Sequence, residues 1–583
     1  MNNLEHKRHS LAHLLASAVL KLYPDAKNAI GPAVDNGFYY DFEFSSPVSE
    51  KDFPRIEKEM KKALKSWKNF ESQEVSADEA RAKFANNPYK LELIDEIVEK
   101  GEKITLYTSG DFTDLCRGGH TENPAKEIAE GSFALDRVAG AYWRGDEKNK
   151  MLTRIYGLAF DTKEELEAYV AQREEAEKRD HRKLGKELGL FVFSDVVGKG
   201  LPLWTEKGAT IRRELERFIT DEEIKRNYKH VYTPDIANLD LYKKSGHYPY
   251  YKDSMYAPIK IDDEEYMLRP MTCPHHFELY LSKPRSYKEL PMRIAELAKL
   301  YRYEQSGELS GLMRVRSFCL ADAHIVCKDA DQATSEVNNA LDLIEYIAKI
   351  FGLEMGKNYS YRLSLGDRSD DKKYFKNDAA WDDAEGRLRE VLKKRGSQFV
   401  EAPGEAAFYG PKIDVQMKNV RGKEDTAFTV QYDFVMPGRF KLTYTDSDGK
   451  EKEAVVIHRS SVGAIERVIG FLIEHYAGAF PLWLSPVQAK VIPIMPSHNE
   501  YARNVFEALK TAGIRAELAD EDENLGKKIR AGKVDKIPYM IIIGDKEVES
   551  NTVTLESRDF GNLGALNEKD LLTRITTEIS EKK

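Results

Sequence analysis

The sequence predicts a multidomain α+β protein, and three observations carry that expectation. The chain has 583 residues, a length that ordinary domain sizes divide into three or four domains. Hydrophobic residues make up 41% of it and charged residues 32%, enough to fill several cores and keep the surface polar. The periodicity also changes along the chain. It is helical near the N-terminus, alternating in the middle, and strand–helix–strand at the end.

Residues 1–165 form the first segment. Leu11, Leu14, Leu15, Ala18, Val19 and Leu22 recur at helical spacing, which predicts an amphipathic helix over residues 5–23. His9 and His13 share one face of it, one turn apart; a plain polar helix face explains such a pair equally well. Further on, D-L-C-R-G-G-H places Cys116 and His120 on either side of a Gly-Gly turn. Three histidines and a cysteine are donors of the kind zinc takes. The stretch Lys163–Lys186 is rich in Glu, Lys and Arg. It reads as a solvated linker helix supported by i,i+4 charge pairs, assigned to residues 166–186.

Residues 187–484 form the second segment. A helix carrying Ile211, Leu215, Phe218 and Ile219 on one face ends near Asn227, and Y-K-H-V-Y-T-P follows as a strand closed by Pro234. In M-L-R-P-M-T-C-P-H-H-F, Cys273 stands between Pro270 and Pro274, the setting of an ordinary packed thiol. His324 and His458 offer it distant partners, and one Cys with two His forms a three-donor metal set with a fourth position open. Between them, Tyr301–His324 reads as two extended arms around a Gly/Ser-rich loop, a long antiparallel hairpin bearing Arg302, Arg314 and Arg316. A solvated charged hairpin fits the same pattern. H-R-S-S-V-G-A-I-E-R-V-I-G-F then gives a strand, a turn at Gly463 and a helix with Glu466 and Arg467.

Residues 485–583 alternate strands (A-K-V-I-P-I, I-R-A-E-L-A, Y-M-I-I-I-G-D) with helices over Asn499–Ala512, Glu523–Ala531 and Asn567–Ile579. That order argues for a parallel or mixed α/β domain. Four cysteines in the whole chain rule out a disulfide scaffold and suit a reducing cytoplasm. No apolar run reaches the length of a membrane span, and M-N-N-L-E-H-K-R-H carries no secretory signal. The net charge of −9 decides nothing about nucleic acid, since local basic patches suffice for phosphate contacts.

The Tyr301–His324 stretch resembles motif 2 of the class II aminoacyl-tRNA synthetases, and G-L-M-R-V-R with D-A-H is similar to the threonyl-tRNA synthetase form. The resemblance implies a class II antiparallel-sheet catalytic core. An N-terminal α+β editing domain precedes it and a C-terminal α/β anticodon-binding domain follows it. It further implies that Arg302 holds the ATP α-phosphate and the amino-acid carboxylate, with Glu304 and Arg314 beside it and Arg467 against the γ-phosphate. Cys273, His324 and His458 match the family's zinc ligands. Asp322 matches the aspartate that receives the threonine hydroxyl and amino group, and Tyr409, Lys412 and Gln431 match pocket residues.

The long helix, strand and proline resemble motif 1, which implies a homodimer. H-x-x-x-H and C-x-x-x-H, with I-G-P-A-V-D-N-G-F-Y-Y-D-F between them, resemble the family's serine-editing domain. His9, His13, Lys90, Asp114, Cys116 and His120 are its implied hydrolytic residues, working without a metal. N-L-G-K-K-I-R and G-D-K-E-V-E-S resemble RNA-contacting parts, with Glu549 and Arg558 as anticodon readers.

The implied reaction joins L-threonine to tRNA(Thr) using ATP with Mg2+ and one Zn2+ per subunit, in the cytoplasm and away from membranes. Two positions depart from the family pattern: Leu320 replaces a polar residue two places before Asp322, and Thr426 stands where a nucleotide-contacting Gln is expected. Bacterial threonyl enzymes usually carry a small extra domain ahead of the editing region, and residues 1–8 here are too few to form one.

Overall fold

The computed structural model describes residues 3–370 and 372–583. The chain forms two compact units, Met1–Glu174 and Glu175–Lys583.

In the first unit the helix Asn3–Leu22 buries Leu11, Leu14, Leu15, Ala18 and Val19, as their spacing predicts. It stops where Tyr23 and Pro24 follow, since proline removes a helical donor. Its apolar face packs on Phe38, Phe42 and Ile155. These residues come from an antiparallel sheet ordered Lys27–Asn28, Gly37–Glu43, Met151–Ala159, Phe133–Tyr142, with Ala33–Val34 beside the second strand. A separate three-stranded sheet joins Glu71–Val75, Ile104–Ser109 and Phe112–Leu115. The helix Pro88–Glu99 starts on Asn87, whose side chain accepts from the Tyr89 and Lys90 amides. That cap fixes the first turn and sends the Lys90 side chain inward, where it is only 2% exposed.

The second unit is built on an eight-stranded sheet. Its order is Lys229–His230, Met292–Tyr301, Ser317–Cys327, Val455–Ala464, Glu424–Asp433, Lys412–Lys418, Tyr359–Leu365, Phe399–Pro403. Only the two edge pairings are parallel. Helices Glu206–Lys225, Ala330–Ile350, Asp378–Lys394 and Ile465–His475 contribute to a single large core with one face of the sheet. Ile211, Leu215, Phe218 and Ile219 of the first helix are buried in it. Glu223 of that helix, itself buried, accepts from Nη1 of Arg459 at 2.5 Å and from Oγ of Ser461 at 2.9 Å. The helix is thereby tied to the strand that carries His458.

The hairpin differs from the sequence expectation in its limits. Its arms are Met292–Tyr301 and Ser317–Cys327, paired from Met292↔Val326 to Tyr301↔Ser317. Arg302 and Glu304 therefore lie in the connecting loop rather than in a strand, and the second arm begins at Ser317 instead of Leu312. The loop side chains explain the change. Nε and Nη2 of Arg316 donate to the Glu304 carbonyl at 3.0 and 2.8 Å, and Nε of Arg314 donates to the Glu304 carboxylate at 2.9 Å. The arginines hold the loop on itself instead of extending the ladder.

The last segment is a mixed sheet, ordered Ala516–Leu518, Ala489–Pro493, Tyr539–Ile543, Thr552–Ser557, Gly561–Asn567. The first three strands are parallel and the last two antiparallel. The final hairpin escaped the sequence reading, although Thr552–Ser557 alternates with Val553 and Leu555 buried, because its partner Gly561–Asn567 is glycine-rich and has no buried residue. No helix among the described residues is long and apolar enough to cross a membrane.

Gly463 has a φ of +69°, and a Cβ there would stand 2.0 Å from the Ala427 carbonyl oxygen. Gly463→Ala is therefore expected to destabilise this unit by on the order of 1–3 kcal/mol, read as a lower denaturation midpoint. An unchanged midpoint would show that the neighbouring strand can give way.

Candidate active sites

Strand register brings the middle segment's functional side chains together. His324 lies opposite His458, His458 opposite Gln431, and Gln431 opposite Lys412. Four adjacent strands thus present one row of polar groups on the face away from the main core. The row forms part of the wall of a cavity of about 660 Å³. Cys273, Arg302, Glu304, Arg314, Asp322, Tyr409 and Arg467 also line it.

Cys273, His324 and His458 are all buried, and one donor atom of each lies within 4.8 Å of the others. One nitrogen of each imidazole is already engaged. Nε2 of His458 is 2.6 Å from Oδ2 of Asp433, and Nδ1 of His324 is 2.8 Å from Nδ1 of His276. The remaining nitrogens, with the thiol sulfur, form a donor set that fits a metal with open coordination. Burial, reinforced by His458 and His276, holds the His324 ring far below its usual pKa, so it is neutral as a ligand must be. His276 is braced in turn by Glu296 at 3.2 Å.

Around this set, Tyr409 stacks on the His458 ring with centroids 4.8 Å apart and donates to Oε1 of the Gln431 side chain. Lys412 pairs with Asp414 at 2.5 Å. Burial raises the Asp322 carboxyl above its ordinary range. Arg302 reaches the Pro270 carbonyl at 3.5 Å and lies over Phe318, its centre 5.2 Å from the ring centroid. Arg467 donates to the Met313 carbonyl at 3.0 Å and to the Thr426 carbonyl at 2.6 Å. Burial lowers the pKa of both arginines, yet both stay charged. Two fixed cations thus border a cavity with room for a nucleotide.

The first unit holds a second cavity of about 350 Å³, lined by His9, His13, Lys90, Asp114 and Cys116 among others. Sγ of Cys116 lies 3.5 Å from Nε2 of both His9 and His120, and His9 lies 3.2 Å from His13. His120 stacks on Phe70 with ring centroids 3.9 Å apart. Asp114 is the hub: Nζ of Lys90 is 2.6 Å from it, Nδ1 of His13 is 3.2 Å away, and Tyr40 donates to it. Burial alone would raise the Cys116 thiol, but hydrogen bonds with His120, His13 and His9 bring it down to about 3. Burial likewise pulls His13 down, yet bonds to Asp114 and Cys116 lift it to about 9. The three shifts run in the directions that favour a thiolate at Cys116, a carboxylate at Asp114 and a protonated ring at His13.

Comparison with known proteins gives this geometry a lineage. A family model described as tRNA synthetase class II core domain (G, H, P, S and T) matches residues 256–476. One for an anticodon binding domain matches 488–578, and one for the threonyl and alanyl tRNA synthetase second additional domain matches 104–156. A threonine–tRNA ligase of Staphylococcus carnosus (strain TM300) is 49% identical over 582 residues, covering 100% of this chain and 89% of its own. The chain belongs to the threonine–tRNA ligase family. A second relative, from Anoxybacillus flavithermus (strain DSM 21510 / WK1), is 51% identical over 551 residues, 94% of this chain and 84% of its own. Among solved structures, the RNA binding domain of threonyl-tRNA synthetase from Cryptosporidium parvum Iowa II aligns with a TM-score of 0.65 at 35% identity. It covers 68% of this chain and 98% of its own.

Within this family fold the two departures find local accommodation. Leu320 lines the larger cavity, and Thr426 accepts a hydrogen bond from Nε2 of Gln416 at 2.7 Å. Of the anticodon candidates, Glu549 is exposed on the helix Asp545–Ser550. Arg558 is engaged by Asp559 and by the Lys536 carbonyl. Sequence reasoning missed Tyr40, Asp433, His276 and Glu296. His276 gave a signal through its place three residues after Cys273, and Tyr40 through its place in I-G-P-A-V-D-N-G-F-Y-Y-D-F.

Proposed function

We propose that the protein ligates L-threonine to tRNA(Thr) through threonyl-adenylate, using ATP with Mg2+, and that its first unit hydrolyses mischarged seryl-tRNA(Thr). The observation that carries the reading is the convergence of Cys273, His324 and His458 in the same cavity as Arg302 and Arg467. Zinc is the metal that a thiolate and two imidazoles favour. When bound, it supplies a Lewis acid with room for the amino group and hydroxyl of threonine.

The chain's own residues do the rest. Asp322 accepts from the substrate's hydroxyl and amino group, while Tyr409 and Gln431 close the pocket around its methyl group. Arg302 draws the threonine carboxylate and the ATP α-phosphate together, and Arg467 takes the γ-phosphate. Attack of the carboxylate on the α-phosphate breaks the bond to the β-phosphate and expels pyrophosphate; it needs no side-chain nucleophile, only alignment and charge compensation. The terminal hydroxyl of the tRNA then attacks the adenylate carbonyl, and AMP leaves as its phosphate takes up the hydroxyl proton. Valine lacks the hydroxyl and leaves polar groups unpaired. Serine keeps it and escapes rejection, which gives the hydrolytic cavity its purpose.

Glu549 and Arg558 are assigned to anticodon reading. Exposed apolar residues preceding the Glu206–Lys225 helix (Val192, Val196, Val197 and Leu203) support a homodimer through motif 1. The absence of a spanning helix among the described residues accords with a cytoplasmic site. Pyrophosphate exchange tests the central reading. Threonine is expected to support it, valine to fail by roughly 10⁴-fold, and serine to fall between. Exchange supported equally by valine would overturn the assignment.

A further inference from the structure

The loop over the nucleotide end of the active site is held at two successive residues, and one hold comes from outside the three synthetase motifs. Arg467 bonds the Met313 carbonyl at 3.0 Å. One residue earlier, the Leu312 N–H donates to Nε2 of His181 at 3.0 Å. The other ring nitrogen, Nδ1, lies 2.7 Å from Oε1 of Glu474. Glu474 and Arg467 belong to one helix, Ile465–His475. That helix therefore grips the loop twice, directly through Arg467 and indirectly through Glu474 and His181.

The chemistry fixes the tautomer. A backbone N–H only donates, so Nε2 of His181 must offer its lone pair, and the proton must sit on Nδ1 facing the Glu474 carboxylate. His181 is 3% and Glu474 6% exposed, so water does not replace either bond cheaply. The loop is shaped for the contact. Gly311 has a φ of +51°, and a Cβ there would stand 2.2 Å from Nε2 of His181. Asp180 also converges on this pair, but its carboxylate is taken by the Arg182 amide and guanidinium. The cluster is thus a closed hydrogen-bond unit.

We propose that His181, oriented by Glu474, is a positioning residue for amino-acid activation. It fixes the Leu312 amide, and with it the loop that lines the cavity at Leu312, Met313 and Arg314, at the height that ATP requires. The inference rests on the activation reading above.

The test measures threonine-dependent pyrophosphate exchange and thermal midpoints for the full chain and for His181→Ala, His181→Gln and Lys183→Ala. His181→Ala is expected to lower kcat/KM for ATP about tenfold, the equivalent of one buried hydrogen bond, while KM for threonine stays within about twofold. His181→Gln should recover most of the loss, because its amide offers an acceptor and a donor at nearly the ring's spacing. Lys183→Ala, on the exposed side of the same helix, should match the parent. Equal impairment of the Ala and Gln variants would reduce His181 to packing, and parental kinetics for His181→Ala would overturn the proposal outright. If His181→Ala does not fold, Gly311→Ala presses on Nε2 from the loop side and should give the same ATP-specific loss; parental ATP kinetics there would sink the idea. A parent without threonine-dependent exchange would overturn the activation reading itself.

Discussion

Cys273→Ala is expected to abolish metal retention and to lower threonine-dependent pyrophosphate exchange by more than about 100-fold. Even groups that only brace a metal ligand typically cost about 10–100-fold in affinity or activity when removed, and Cys273 would be a ligand itself. Of the three donors it is the sole sulfur, and the one expected to bind as an anion. Its loss leaves two imidazoles, of which His324 is held neutral by burial. Removing metal from the parent with a chelator should reproduce the defect, and zinc should restore the parent but not the variant. His276→Ala is the graded companion: it removes the group that orients His324 at 2.8 Å while sparing every donor, so its effect should be smaller and should show first in metal affinity. Cys273→Ala protein that activates threonine at the parental rate without zinc would sink the metal assignment.

The candidate site residues stood out in the sequence by type, but their roles came from the resemblance to a known family and not from spacing. Cys273, His324 and His458 are scattered over the chain; the register His324↔His458 on adjacent strands brings the two histidines together, and Cys273 joins them from the start of the helix Cys273–Leu281. The N-terminal helix was plain because its apolar period needs no partner to be recognised. Partners that hold reactive groups in place were illegible for the opposite reason. Asp433, Glu296 and Tyr40 are ordinary residues in ordinary strands, and contacts to other strands or to a helix alone give them a role. His181 is the sharpest case. It sits at the end of a stretch whose charge made it look solvated, yet its ring is enclosed between a helix and a loop from far along the chain. The hairpin limits were misjudged likewise, because Arg314 and Arg316 bond the loop at Glu304 instead of joining the ladder.

Asp114→Asn is expected to cripple the first unit's hydrolysis of seryl-tRNA by roughly 100-fold or more while leaving threonine activation at the parental rate. The reason is electrostatic. Asp114 faces the Lys90 ammonium at 2.6 Å and His13 at 3.2 Å, and all three side chains are buried. An amide leaves the Lys90 ammonium without its counter-charge and His13 with the Cys116 thiol group alone, a loss of about 3–5 kcal/mol in such settings, so this unit should also melt earlier. The pH dependence has a definite sign. Despite burial, Lys90 and His13 hold the Asp114 carboxyl far below its ordinary value of 3.8. Its stabilising contribution is therefore complete above that value and is lost as pH falls through the lower folded pKa. His13 is raised from 6.5 to about 9, so its contribution is complete below 6.5 and is lost as pH rises through about 9. The stability gap between parent and Asp114→Asn should thus be widest between 3.8 and 6.5, the ordinary values of the two groups, and should narrow towards either extreme. In the variant the His13 ring should also titrate at lower pH, measurable from its carbon-bound proton resonances. A gap that stays constant from acid to alkaline pH, or a His13 titration that does not move, would mean that Asp114 does not organise this cavity.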